Sequence, residues 1–110
     1  MPVCMTARYQ VEPEMVEECK RTIEDFVKYI RINEPTTLFY MANQEMGRPT
    51  RFLHTMIFED EEAIAIHQRS PATKRFVDMI YPAAIEPLDF SQYYILGIKN
   101  EYGKENKPTR

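Results

Sequence analysis

Two histidines, His54 and His67, are the only side chains in this 110-residue chain whose ordinary titration range brackets neutrality. Proton transfer near pH 7 therefore falls to them first. His67 precedes Gln68-Arg69-Ser70-Pro71, which places it near the end of a helix. It reads either as a base facing a substrate or as a core histidine tying that helix to a sheet. His54 alternates with Phe52, Met56 and Phe58 on one face of a strand-like segment. It is either a second polar group in a pocket or an exposed strand residue, and exposure is the expectation.

Other residues could bind rather than react. Phe58, Tyr40, Phe76 and Met79 could form apolar walls, although such side chains more often make up ordinary core. Arg31, Asn33 and Glu34 sit where a helix turns into a strand. They could contact a substrate, but such a turn also needs hydrogen bonds to free backbone groups. Cys4 and Cys19 lack metal or redox spacing and read as small core residues, so no metal site is expected.

Elements must position these groups, and the chain is long enough for one domain of modest size. Its 14 Lys and Arg against 17 Asp and Glu give a net charge of -3 with no basic block. A nucleic-acid partner is not expected, because phosphate binding demands clustered positive charge. The apolar runs are short, as in 63–66 and 93–98, so neither a membrane span nor a signal segment is expected and the protein reads as cytoplasmic.

Residues 3–11 alternate as a strand with one buried face. Pro13 then opens a long amphipathic helix, with apolar residues at Val16, Cys19, Ile23, Phe26, Val27 and Ile30, which stops near residues 31–33 ahead of Pro35. Residues 37–43 and 50–58 form a hairpin around Gly47-Arg48-Pro49. Asp60 caps a helix carrying Ala63, Ile64 and His67, and Ser70-Pro71 breaks it and starts another through Phe76, Val77 and Ile80. Residues 88–98 read as the last strand, and residues 99–110 as a polar tail beyond a single domain at 1–98.

The order strand, helix, strand, strand, broken helix, strand is the α+β, ferredoxin-like βαββαβ arrangement. Its helices cover one sheet face. Phe90, Tyr93, Tyr94, Ile95 and Leu96 then supply more apolar surface than one helical layer covers, which predicts pairing with a second copy as a homodimer.

Arg31-Ile32-Asn33-Glu34-Pro35 leading into Thr37-Leu38-Phe39-Tyr40, and Phe58-Glu59-Asp60-Glu61-Glu62-Ala63 followed by His67 and Ser70, together resemble the antibiotic biosynthesis monooxygenase family. The resemblance implies a dimeric α/β barrel whose pocket lies between sheet and helices. It also implies oxygenation of a phenolic or quinol-like aromatic with O2 and no cofactor. His67 would then be the base, with Phe58, Tyr40, His54, Arg31, Asn33, Phe76 and Met79 binding substrate. Many relatives carry glutamate at the position of Met56 and tryptophan at that of Phe58, and this chain has no tryptophan. A related branch shares the His-x-x-(Ser/Thr)-Pro pattern of residues 67–71 and suggests a proton-transfer enzyme, such as an isomerase, on a small phosphorylated carbonyl compound, with Arg8 or Arg31 as anion ligand. A non-catalytic dimer that holds an apolar ligand is the third expectation.

Overall fold

A computed structural model describes residues 1–99. The elements are β1 (Val3–Gln10), α1 (Val16–Asn33), β2 (Thr37–Gln44), β3 (Arg51–Phe58), α2 (Glu61–Arg69), α3 (Pro71–Ala83) and β4 (Asp89–Tyr93). The four strands form one antiparallel sheet in the order β2-β3-β1-β4, which is the ferredoxin-like α+β fold. Among the described residues, no helix is long and apolar enough to cross a membrane.

Local chemistry sets the boundaries. Pro13 starts a single 3-10 turn, Pro13–Met15, and the α-helix proper begins at Val16. It runs to Asn33, and the Glu34 backbone N–H still donates to the Ile30 carbonyl at 3.0 Å before Pro35 ends the helical path. In the hairpin, Gly47 takes a φ of +84°, a left-handed value that disfavours any residue with a Cβ. Asp60 caps α2 by accepting from the Ala63 N–H at 2.9 Å. Ser70 is extended, as a residue before proline prefers, and its side chain accepts from the Thr73 N–H at 3.0 Å. One residue thus ends α2 and caps α3.

The period-2 pattern puts Met5, Ala7, Tyr9, Phe52, His54, Met56 and Phe58 on the sheet face beneath the helices. Opposite them α1 buries Cys19, Ile23, Phe26 and Ile30, and α3 buries Ala72, Phe76, Ile80 and Ala83. Each large side chain so buried contributes about 1.5–3 kcal/mol. Phe26 and Phe76 stack at 4.6 Å between ring centroids, locking α1 to α3. The remaining core is a second, smaller cluster of Met5, Ala7, Met56, Phe58 and Ala63, and Tyr40 packs against both clusters.

Some expectations change. Cys19 is fully buried, but Cys4 faces the other side of the sheet and is only half-buried. The last strand is much shorter than 88–98: β4 ends at Tyr93, opposite Cys4, because its only partner strand begins at Val3. Phe90 lies opposite Ala7 on the helix-covered face and so adds nothing to the open one. The tail expected at 99–110 lies outside the described residues except for Lys99.

Candidate active site

The pattern that builds the core also builds a cavity of about 310 Å³ between the sheet and the helices. Its sheet wall is Met5, Ala7, Tyr40, His54, Met56, Phe58, Phe90 and Gln92. Helices α1, α2 and α3 close it with Phe26, Ile64, His67, Gln68, Phe76 and Val77 among others. Ala7, between the larger Met5 and Tyr9 on the same face of β1, leaves part of this space. Such a volume suits a small ligand, and the lining is mostly apolar with few polar groups, as ligand sites are.

His67, near the C-terminus of α2, lines the cavity with its ring against Phe26, Tyr40 and Phe58, the Phe58 centroid 5.2 Å away. Its Nδ1 lies 2.9 Å from Oε1 of Glu34. The same oxygen accepts from the Thr37 hydroxyl at 2.9 Å, while Oε2 is buried without a hydrogen-bond partner. From the far side, the Thr73 hydroxyl donates to the His67 carbonyl oxygen. The helix break at Ser70 thus fixes the backbone of His67, and the turn after α1 fixes its ring.

His54 is fully buried, against the expectation of exposure, because the alternate face of β3 lies under the helices, α2 covering the Phe58 end and α1 and α3 the rest. Its Nε2 is 2.7 Å from the Tyr9 hydroxyl and its Nδ1 is 2.6 Å from that of Tyr40. Burial, with a smaller push from His67, lowers its pKa from the usual 6.5 to about 4, so the ring is neutral at pH 7. Burial raises both phenols well above their ordinary range, with Glu34 adding to the shift at Tyr40.

The sequence-predicted residues therefore divide. His67, Phe58, Tyr40, His54 and Phe76 share one cavity. Met79 packs against the main core cluster instead and does not line the cavity. Arg31 and Asn33 are exposed on the last turn of α1, and the Asn33 side-chain N–H donates to the Tyr29 carbonyl at 3.1 Å, a helix-ending role. The pairing of Glu34 with His67 and that of Tyr9 with His54 were not foreseen. The only signal was an acid between a helix end and Pro35, at a position that the fold makes 4 % exposed.

A larger groove of about 430 Å³ lies around the other strand ends, among Arg8, Asn43, Glu45, Arg51, Glu86 and Asp89. It holds neither histidine, and Arg51 is paired with Glu45 at 3.0 Å. Among the described residues, no group of three His, Cys, Asp or Glu side chains is placed to hold a metal ion.

No curated protein matches the chain. Solved structures do. A protein of Bacteroides thetaiotaomicron, described as a candidate antibiotic biosynthesis monooxygenase, superimposes with a TM-score of 0.84 at 22% identity over 91% of this chain and 96% of its own. A similarly described protein of Nitrosomonas europaea gives 0.80 at 19% identity over 86% and 90%. A protein of Pseudomonas aeruginosa, described without an activity, gives 0.78 at 23% identity over 87% and 95%. At such identities the likeness speaks for the fold alone. The model of the family described as antibiotic biosynthesis monooxygenase matches residues 2–79, which hold every element from β1 to most of α3, and the chain belongs to that family.

Proposed function

We propose that the protein is a cofactor-independent monooxygenase that oxidises a small hydroxylated aromatic with O2 in the cavity beneath α1, α2 and α3. The observation that carries this reading is His67, which lines an apolar cavity while its Nδ1 is held by the buried Glu34 carboxyl at 2.9 Å. With the Nδ1 proton donated to Glu34, the Nε2 lone pair is free to accept a proton from a bound phenol.

The chemistry then balances without an added reductant. The phenolate gives one electron to O2, and the phenoxyl radical and superoxide recombine with a new C–O bond at a hydrogen-bearing ring carbon ortho or para to the oxygen. Loss of water breaks the O–O bond and leaves a quinone. One oxygen atom enters the product, and the other leaves as water carrying the former O–H and C–H hydrogens. The protein supplies a base and a shaped apolar site, and membership of a family described as antibiotic biosynthesis monooxygenase supports the reaction class.

Among the described residues, no Arg or Lys lines the cavity. Arg31 is exposed on α1 and Arg8 borders the other groove, so neither of the two cations that a phosphorylated carbonyl compound would call on lines the cavity. The isomerase reading loses its support for that reason.

The assembly we propose is a homodimer through the helix-free sheet face. Phe39, Met41 and Tyr93 are among its exposed side chains, and Tyr94, Leu96 and Ile98 follow on a segment beyond β4, also exposed. Contiguous apolar surface of this kind is the mark of an interface. Oxygen uptake by the purified protein on a panel of quinols and polyphenols, with His67→Ala beside it, tests the function. Silence across the panel would sink the oxygenase reading.

A further inference from the structure

We propose that Tyr40 directs its hydroxyl proton into the cavity as the hydrogen-bond donor to a ligand oxygen, and that His54 and Tyr9 hold it in that orientation.

The argument is a count of protons. His54 is fully buried between two phenols, with Tyr9 at Nε2 (2.7 Å) and Tyr40 at Nδ1 (2.6 Å). A neutral imidazole has one N–H and one lone pair, so one tyrosine must donate to it and the other must accept from it. Tyr9 is 7 % exposed, stacks on Phe52 at 5.5 Å and meets Phe76 edge-on at 6.3 Å. Among the described residues, its hydroxyl has no hydrogen-bond partner other than His54. If Tyr9 accepted, its own O–H would be buried without an acceptor, which is costly. Tyr9 therefore donates to Nε2. The ring proton is left on Nδ1, where it is donated to the Tyr40 oxygen.

Tyr40 then keeps an O–H with no protein acceptor, on a ring that lines the cavity beside Phe26 and His67. The chain of hydrogen bonds polarises that O–H further, and the apolar walls strengthen any bond it makes. The inference rests on the hydroxyaromatic reading above and adds to it. A bound phenol gives its proton to His67 while its oxygen accepts from Tyr40, and the second bond tightens as negative charge develops on that oxygen. The site thereby selects ligands with an acceptor oxygen over plain aromatic hydrocarbons.

The chain has two histidines, so long-range proton–nitrogen NMR of the histidine-labelled, ligand-free protein resolves each ring, with His67→Asn assigning His54 by elimination. The expected result is a neutral His54 with the proton on Nδ1; a proton on Nε2 would overturn the proposal. Next, 2-naphthol and naphthalene are titrated into wild type and Tyr40→Phe. We expect Tyr40→Phe to weaken 2-naphthol about five- to tenfold, the loss of one hydrogen bond, and to leave naphthalene unchanged. Equal loss for both probes, or for neither, would overturn the donor role. If wild type fails to bind 2-naphthol at all, the hydroxyaromatic reading falls and takes the ligand-donor role with it, while the ring-proton result still decides which tyrosine donates to His54.

Discussion

Glu34 and His67, thirty-three residues apart in the chain, meet at 2.9 Å where the end of α1 passes the end of α2. The contact joins two buried residues, Glu34 at 4 % exposed and His67 at 8 %, at the edge of the cavity. It fixes the ring orientation of a histidine in an apolar wall. Several measurements bear on this arrangement.

His67→Ala removes the proposed base. Oxygen uptake on a responsive quinol should fall by about 10²–10⁴, the range that positioned general bases supply. The melting temperature should fall as well, because buried Glu34 loses a partner, so turnover is compared at a temperature where both proteins are folded. A variant that retained full turnover would show that His67 only ties α2 in place.

Glu34→Gln keeps the shape and one acceptor oxygen but removes the carboxylate. We expect turnover to fall by about tenfold or more, since an amide is a weaker acceptor for the Nδ1 proton and can turn its NH2 to the ring instead, which loosens the ring's orientation. Glu34→Ala should in addition lose about 1–3 kcal/mol of stability, because the Thr37 hydroxyl and His67 Nδ1 lose their acceptor. Urea titration of the two variants separates the effects.

His54 makes stability depend on pH. Its pKa of about 4 lies below the unfolded value near 6.5, so the unfolded chain binds the proton more readily in between. The contribution is fully present above about pH 6.5 and is lost as pH falls toward 4, amounting to roughly 3 kcal/mol. Urea midpoints measured across that window should drop for wild type and stay flatter for His54→Asn. Parallel curves would place the acid sensitivity elsewhere.

Phe58 is fully buried and touches both the second core cluster and the His67 ring. Phe58→Ala should cost about 3–5 kcal/mol, read as a lower urea midpoint at unchanged slope.

Met41 is 44 % exposed on the helix-free face beside Phe39. If that face forms the homodimer, Met41→Glu buries an unpaired charge at the interface and should give monomers by sedimentation equilibrium, where wild type gives dimers. Identical masses for the two proteins would reject this face as the interface.

The sequence alone determined the elements and their order, because each rests on short-range chemistry. Alternation wrote β1 and β3, the spacing from Cys19 to Ile30 wrote α1, and Asp60 and Ser70-Pro71 wrote two helix starts one after the other. It also brought His67, Phe58 and Tyr40 forward together. Tertiary structure decided how these groups work. That His54 is buried follows from which face of β3 the helices cover, and the pattern of one strand cannot reveal that cover. That β4 ends at Tyr93 follows from where its partner begins. Glu34 reads as a turn residue until α2 packs beside the end of α1, and the roles of Tyr9 and Tyr40 are set by a single ring proton they share through His54. Hydrogen bonds that span 14 to 45 residues exist only once sheet register and helix packing have brought their partners within 3 Å.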